Sequence, residues 1–239
     1  MTATAVPGFL PSTHGFAFPN AWPPGPTLRF GPIDPRVIGV GDASAGLCGG
    51  MVMTVCDLFE AGLTAAGRPQ PENGSAPFDA IVRRQVQSLD WFRVPLRYFD
   101  LMALHPDPPT GLFAALHREP PRVEAVGREW PTIRAVLDAG HPCPVGLIRV
   151  ASFSWRDLTR NHQVLAFGYD TADDGSGFAI RVYDPNHPGN DAVELRAAID
   201  PEDGRPLRDR VHLSQTTGEP LLGFFAQPYP RPTGLRAWR

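Results

Sequence analysis

Apolar residues recur at the spacing of helical turns through the first half of the chain. From Leu47 to Ala61 they occupy positions 51, 52, 55, 58 and 59, which form one stripe along a helix. Gly62 follows this stripe and is suited to end the helix. The same spacing predicts four further helices, over 78–93, over 95–104 after a break at Pro95, from Thr110 to His117, and over 130–140.

The pattern changes after residue 142, where short apolar segments replace the helical stripes. These segments are rich in β-branched and aromatic residues and are bounded by turn-forming residues, which is typical of strands. Their sequences are CPVGLIRVA (143–151), HQVLAFGYD (162–170), FAIRVYD (178–184) and LLGFFAQ (221–227). The polar stretch TADDGSG (171–177) predicts a hairpin loop between the second and third of these strands.

Helices followed by strands, without alternation, predict an α+β fold and not a parallel sheet. We expect one domain over residues 1–239, with an irregular lead segment (1–45), a mainly helical lobe (46–141) and a mainly β lobe (142–239). The lead segment is rich in proline and glycine, but its aromatic residues are expected to hold it against the rest of the protein. These residues are Phe9, Phe16, Phe18, Trp22 and Phe30.

The number and distribution of charged residues indicate which classes of binding partner to expect. The chain of 239 residues has 22 basic and 25 acidic side chains, for a net charge of −3. The sequence contains no basic stripe of the kind that binds nucleic acid. It also contains no cationic amphipathic segment of the kind that binds a membrane surface. No run of about 18 apolar residues predicts a transmembrane helix. We therefore expect neither nucleic acid nor a membrane as a partner, and the oligomeric state stays open.

The cysteines and the N-terminal residues indicate the cellular compartment of the protein. The three cysteines, Cys48, Cys56 and Cys143, contain no C-x-x-C pair, so a structural zinc site is not expected. Cys48 and Cys56 lie roughly 12 Å apart along one predicted helix, which is too far for a disulfide. The N-terminus lacks the basic and apolar regions of a signal peptide. We expect a reduced, cytoplasmic protein, with export by a non-classical route left open.

Cys48 lies where a glycine-rich turn, GDASAGLCGG (41–50), leads into the first predicted helix. The reactive form of cysteine is the thiolate, and a helix N-terminus stabilises that anion through its unpaired N–H groups and its dipole. The small residues around Cys48 allow a substrate backbone to approach closely. These features favour a nucleophile, whereas Cys56, inside the apolar stripe, has the pattern of a buried structural cysteine.

Two further segments provide the partners that a nucleophilic thiol needs. His162 begins an apolar strand, and an imidazole there can accept the thiol proton near pH 7. Asp184 ends the next strand, and the hairpin between the two strands is expected to bring it back towards His162, where it could orient the ring. Asn186 is the alternative third member, and His187, in the turn, is a weaker base candidate.

The segments GLCGGM (46–51), NHQVLAFGYD (161–170) and VYDPNHP (182–188) resemble the three active-site blocks of the papain-like cysteine peptidases. The last block is most similar to bacterial domains that process double-glycine leader peptides, and a bacterial group sharing GLCGGM is similar too. The resemblance implies a nucleophile at Cys48, an acid and base at His162 and an orienting Asp184. It also implies a helix bearing the cysteine, packed on an antiparallel sheet bearing the other two.

The implied activity is hydrolysis of a peptide or amide bond through an acyl-enzyme, without a cofactor. One departure concerns the oxyanion hole, because such peptidases usually have a glutamine six residues before the cysteine and this chain has Asp42 there. Ser44 or backbone N–H groups, including that of Cys48, could replace that glutamine. Two alternatives follow, an acyltransferase that uses the same triad and a catalytically silent binding module with this fold.

Two other motifs are weaker. The stretch VIGVGDASAG (37–46) has the Gly-x-Gly of a dinucleotide site, but the acidic residue expected about 20 positions later would be Glu60, inside a predicted helix. His141 and Cys143, in HPC (141–143), could ligate a metal, but no further ligand residues follow at the spacing of a zinc site. We therefore expect neither a cofactor nor a metal.

Overall fold

A curled antiparallel sheet with helices packed against it forms the architecture of the protein. The computed structural model describes residues 2–23, 46–90, 93–109, 111–230 and 235–238. This mixture of helices and antiparallel strands agrees with the α+β prediction.

Seven strands of the described part of the chain join in this one sheet. In chain order they are β1 (Thr2–Ala5), β2 (Cys143–Ile148), β3 (His162–Thr171), β4 (Gly177–Tyr183), β5 (Glu194–Ile199), β6 (Val211–Gln215) and β7 (Gly223–Ala226). The strands lie in the order β6-β5-β4-β3-β2-β7, and β1 pairs with β3 outside this sequence. All pairs are antiparallel. Strands β2 to β5 each pair with the next strand in the chain, whereas β1 and β7 join β3 and β2 from distant parts of the chain.

Strand β3 lies at the centre of the sheet, and two strands pair with different parts of one of its edges. Strand β2 pairs with residues 162–166 and β1 with residues 168–171, while β4 follows the other edge. A change of register on the β4 side falls between Ala166 and Gly168. A Cβ atom at Gly168 would lie 2.8 Å from the carbonyl oxygen of Thr4, so glycine allows β1 to approach β3 there.

Seven α-helices lie within the described residues. They are α1 (Pro11–His14), α2 (Cys48–Glu60), α3 (Ala76–Gln87), α4 (Arg93–Ala103), α5 (Gly111–Ala115), α6 (Pro121–Glu124) and α7 (Trp130–Asp138). Helix α2 packs against α3 and β3, and α4 packs against β2. None of the described helices is both long enough and apolar enough to cross a membrane.

Several predicted helix boundaries need correction. The helix predicted over 78–93 begins earlier, after a cap by Ser75, and ends at Gln87. It cannot continue past Asp90, whose φ of 41° lies in the left-handed region. Pro95 does not precede the next helix but lies in the first turn of α4. The N–H groups of a first turn have no acceptor within the helix, so proline causes no loss of a hydrogen bond there. The helix predicted to reach His117 ends at Ala115, and its expected cap, Thr110, lies outside the described residues.

The helix predicted over 130–140 is the last part of a longer one. Helix α6 continues without a break through a π-helical turn at Ala125–Glu129 into α7. Pro131 has no N–H to donate to the carbonyl of Gly127, and its ring crowds that carbonyl, so a wide turn relieves both problems. Gly140 has a φ of 83° just beyond the end, as expected for a helix stop.

Residues 1–45 are less irregular than expected, as far as the described residues show. They contain strand β1 and the short helix α1. Phe9, Phe16, Phe18 and Trp22 are buried in the main hydrophobic core with residues of α2, α3 and the sheet. This burial confirms that the aromatic residues hold the segment in place, except for Phe30, which lies outside the described residues.

Candidate active site

Cys48 is the first residue of α2 and is partly exposed. Leu47 before it is the helix cap, and its N–H donates to the side-chain oxygen of Asn20 at 2.7 Å. The N–H of Gly50 donates to Oε1 of Gln85 at 2.8 Å. The start of the helix is therefore anchored from both sides, which fixes the position of the Cys48 side chain.

The glycines beside Cys48 let α2 begin in close contact with its neighbours. A Cβ atom at Gly49 would lie 2.2 Å from Oε1 of Gln163 in β3, and one at Gly50 would lie 2.3 Å from the carbonyl oxygen of Ile81 in α3. Any side chain at either position would collide with these groups. The glycine-rich sequence thus brings the cysteine against the first residues of β3, where His162 lies.

His162 is the first residue of β3 and is 4% exposed. Its carbonyl oxygen accepts a hydrogen bond from the hydroxyl of Tyr98 at 2.7 Å, which secures the backbone there. Its ring nitrogen Nε2 lies 2.6 Å from Oδ1 of Asp184. Cys48 is close enough to the ring for His162 to lower the pKa of the thiol, and Nδ1 is the ring nitrogen that Asp184 leaves free. The imidazole therefore lies between the thiol and the carboxylate.

Asp184 follows β4 directly and is completely buried. Besides contacting His162, its Oδ1 accepts the N–H of Asn186 at 2.8 Å, which fixes the carboxylate in the turn. Its Oδ2 lies 3.9 Å from Nη2 of Arg149. Of the two candidates for the third position, the structure thus places Asp184 on the imidazole, whereas the side chain of Asn186 faces Asn20.

Charge distinguishes Cys48 from an ordinary buried cysteine. Burial raises the pKa of a thiol, yet the pKa of Cys48 lies below its usual value because of the hydrogen bond and charge of His162. Backbone N–H groups of Gln163 and Gly49 lower that pKa further. The sulfur therefore favours the thiolate, which is the nucleophilic form.

The imidazole and the carboxylate stabilise each other's charge. Burial disfavours imidazolium, but the charge and hydrogen bond of Asp184, together with Cys48, raise the pKa of His162 to about 9. Burial would likewise raise the pKa of Asp184, yet the charge and hydrogen bond of His162 hold it below the usual range. The thiolate of Cys48, the imidazolium of His162 and the carboxylate of Asp184 are therefore each more stable here than the same groups would be in isolation.

The other two cysteines have the opposite environment. Cys56 and Cys143 are buried and unpaired. Burial raises the pKa of both thiols, that of Cys143 to about 12. They remain protonated near neutral pH, so Cys48 is the one cysteine of the chain whose surroundings favour the thiolate.

Other residues considered from the sequence lie apart from this contact. Nε2 of His187 is 3.7 Å from Oε2 of Glu219, so His187 faces a carboxylate and not the thiol. Asp42 and Ser44, the two residues considered for the oxyanion hole, lie outside the described residues. The roles of Tyr98, Arg149 and Asn20 were not predicted, because no local pattern marks them and their contacts arise from residues distant in the chain.

One cluster could in principle hold a metal ion. Asp184, His187 and Glu219 each offer a ligand atom, and these atoms lie within 4.8 Å of one another. However, the guanidinium of Arg149 lies 3.0 Å from Oε2 of Glu219 and already supplies positive charge there. The same oxygen accepts two further hydrogen bonds of 2.7 Å. We therefore interpret the cluster as an ion-paired network around Asp184.

Comparisons with models of protein families, with curated proteins and with solved structures find no match to this chain. The function therefore has to be inferred from the geometry and charge of the site itself.

Proposed function

We propose that the protein is a papain-like thiol hydrolase that cleaves a peptide or amide bond through Cys48, His162 and Asp184. The observation that supports this most directly is the position of the His162 ring, bonded to Asp184 at 2.6 Å and in contact with Cys48. A buried imidazole between a carboxylate and a thiol of lowered pKa is the arrangement that nucleophilic catalysis by cysteine requires. A structural role would not need the lowered thiol pKa.

The reaction begins when the Cys48 thiolate attacks the substrate carbonyl carbon. A sulfur–carbon bond forms, the carbon–nitrogen bond breaks, and the imidazolium of His162 transfers a proton to the leaving amine. Neutral His162 then takes a proton from a water molecule, whose hydroxide attacks the thioester. The acid product leaves, and Cys48 and His162 return to the thiolate and imidazolium.

Asp184 keeps the ring in place through both half-reactions. Its hydrogen bond with Nε2 leaves Nδ1 free for exchange of the proton with the sulfur, and its charge stabilises the imidazolium. The carboxylate is secured in turn by Asn186 and Arg149. We expect Asp184 to act by orientation and charge, without taking up the proton itself.

The proposal extends to the fold and the surroundings of the enzyme. A cysteine at the N-terminus of α2, packed on an antiparallel sheet that bears His162 and Asp184, supports a papain-like arrangement. All three cysteines are unpaired, which suits a reducing compartment such as a bacterial cytoplasm. The proposed substrate is a peptide, a protein or an amide.

The test is the rate of alkylation by iodoacetamide at about pH 7, where ordinary thiols are mostly protonated. We expect modification at Cys48, located by mass spectrometry, to be about tenfold faster than that of N-acetylcysteine, because the lowered pKa of Cys48 leaves more of the thiol ionised at this pH. His162→Ala should abolish the advantage, and Cys56 and Cys143 serve as internal controls. Alkylation of Cys48 at the rate of N-acetylcysteine would contradict the proposal.

The type of reaction is tested separately with a library of peptides and amides. Turnover by the wild type and none by Cys48→Ala would support hydrolysis. Products in which an added amine replaces water would indicate the acyltransferase. Fast alkylation of Cys48 with no turnover of any library member would instead support the silent binding module.

A further inference from the structure

Attack on a carbonyl creates a negatively charged oxygen that needs hydrogen-bond donors, and the sequence lacks the usual glutamine. One donor is available at the start of α2, because no described residue accepts the N–H of Cys48. A second donor has to come from a side chain that reaches this helix end from elsewhere. Asn20 is such a side chain, although it lies in the lead segment, 28 positions before Cys48.

The orientation of the Asn20 amide follows from its neighbours. Its Oδ1 accepts the N–H of Leu47 at 2.7 Å and the indole N–H of Trp22 at 3.1 Å. Both of these groups can only donate, so the oxygen and not the nitrogen must face them. The NH2 group is therefore turned to the other side of the amide.

That NH2 group lies at the turn into the cysteine helix. Nδ2 would be 2.8 Å from a Cβ atom at Gly46, whose φ of 94° itself favours glycine. Its nearest described acceptor is Oδ1 of Asn186, at a weak 3.4 Å. The backbone N–H of Asn20 also donates to the carbonyl oxygen of Pro185 at 2.9 Å. Asn20 is thus held between the residue before Cys48 and the turn after Asp184, with an N–H left over.

We infer that Nδ2 of Asn20 and the backbone N–H of Cys48 together form the oxyanion hole of this enzyme. The inference rests on the proposed hydrolase function and adds a catalytic residue to it. Asn20 takes the role of the glutamine that Asp42 replaces, and it does so from a segment that also packs on the sheet. Such a donor matters most in the transition state, since the oxygen is charged only there.

Asn20→Asp is the informative variant. Aspartate has nearly the same shape and can still accept from Leu47 and Trp22, but it offers no N–H to an oxyanion. Asn190→Asp is the matched control, because Asn190 is exposed and its Oδ1 also accepts a backbone N–H, that of Ala192. Asn190 has no contact with Cys48 or His162 among the described residues.

Two reagents distinguish a role of Asn20 in the oxyanion hole from a role in holding the thiol in position. p-Nitrophenyl acetate acylates Cys48 through a tetrahedral oxyanion, with release of p-nitrophenolate. Iodoacetamide alkylates the same sulfur by displacing iodide, and no oxyanion forms. Rates are compared at the plateau of their pH profiles, because the added charge also shifts the thiol pKa. We expect Asn20→Asp to slow acylation about 100-fold or more and to leave alkylation within about threefold of the wild type.

Each other outcome contradicts a specific statement. Unchanged acylation in Asn20→Asp, or an equal loss of acylation and alkylation, would overturn the role of Asn20. A wild type that is alkylated rapidly at Cys48 but not acylated would also overturn the oxyanion hole. A Cys48 alkylated no faster than N-acetylcysteine would instead refute the hydrolase function itself. Equal losses in Asn190→Asp and Asn20→Asp would show an effect of charge alone and would overturn the inference.

Discussion

At the scale of single residues, the lowered pKa of Cys48 results from two opposed effects. Burial favours the neutral thiol, while His162 and two backbone N–H groups favour the thiolate, and the second effect is larger. In Cys56 burial acts without an imidazole beside the thiol, and the pKa rises. His162 therefore accounts for most of the fall in the pKa of Cys48, whereas burial and the carboxylates of Asp57 and Glu60 raise that of Cys56.

The pH dependence of carboxymethylation by iodoacetate reports on His162. The rate at Cys48 should rise as the thiol ionises, below the usual thiol pKa, because that pKa is lowered. It should fall again near pH 9, because His162, with a pKa of about 9, loses the positive charge that attracts the anionic reagent. A rate that follows one ordinary thiol ionisation, with no alkaline fall, would contradict the ion pair.

Asp184→Asn tests the source of the raised His162 pKa. The charge of Asp184 is the largest effect that raises this pKa, so its removal should lower it. The alkaline fall of the iodoacetate profile should move to lower pH by about 1–3 units. Asp170→Asn is the control, because it neutralises a half-buried carboxylate that pairs with Arg181 and not with His162, and it should leave the profile in place.

The sequence predicted the meeting of Cys48, His162 and Asp184 from a helix start and a hairpin, and the structure brings these side chains together. Their catalytic roles stay a prediction. The position of Asn20 beside the site could not be predicted from the sequence. Its partners, Leu47 and Pro185, come from parts of the chain that meet only in the folded protein.

At the scale of elements, close packing of α2 on its neighbours sets the position of the site. Gly50 contacts α3 so closely that the carbonyl of Ile81 occupies the place of a side chain. Glycine inside a helix is normally unfavourable by about 1 kcal/mol relative to alanine. Here the contact with α3 outweighs that intrinsic preference.

Gly50→Ala should therefore destabilise the protein by about 1–3 kcal/mol, the usual effect of overpacking. Gly127→Ala, in the π-helical turn, is the matched control, since nothing lies within 4 Å of its Cβ position. The control should keep the wild-type stability or gain up to about 1 kcal/mol. Urea unfolding measures both variants, and a Gly50→Ala protein as stable as the wild type would contradict the packing.

Elements with strong patterns were predictable, and those without were missed. The stripe from Met51 onward gave α2, and the apolar runs gave β2, β3, β4 and β7. Strands β5 and β6 alternate buried and charged or polar positions over only five or six residues, too short to stand out from loops. Strand β1 has mostly exposed, small residues and exists because β3 offers it an edge.

At the scale of the whole molecule, one core joins segments that are far apart in the chain. Phe16, completely buried, lies with its ring 4.8 Å from Phe18 and 5.6 Å from Trp238. The same core includes α2 and the sheet. The described part of the lead segment, residues 2–23, therefore shares this core, and we expect it to unfold together with the rest of the protein.

Phe16→Ala should lower the free energy of unfolding by about 3–5 kcal/mol, as expected for loss of a buried ring. Unfolding should remain a single transition when followed by tryptophan fluorescence and by circular dichroism. Phe153→Ala, at a ring that is 69% exposed, should change stability by no more than about 0.5 kcal/mol. Two separate transitions in the wild type would show that the lead segment unfolds independently.

The distance in the chain between Cys48 and its partners has a consequence for synthesis on the ribosome. Cys48 is made early, whereas His162 begins β3 and Asp184 follows β4. A nascent chain that stops before His162 and Asp184 carries Cys48 without the charges that lower its pKa. If the proposed function holds, the growing polypeptide gains its nucleophilic thiol only after translation has passed the hairpin.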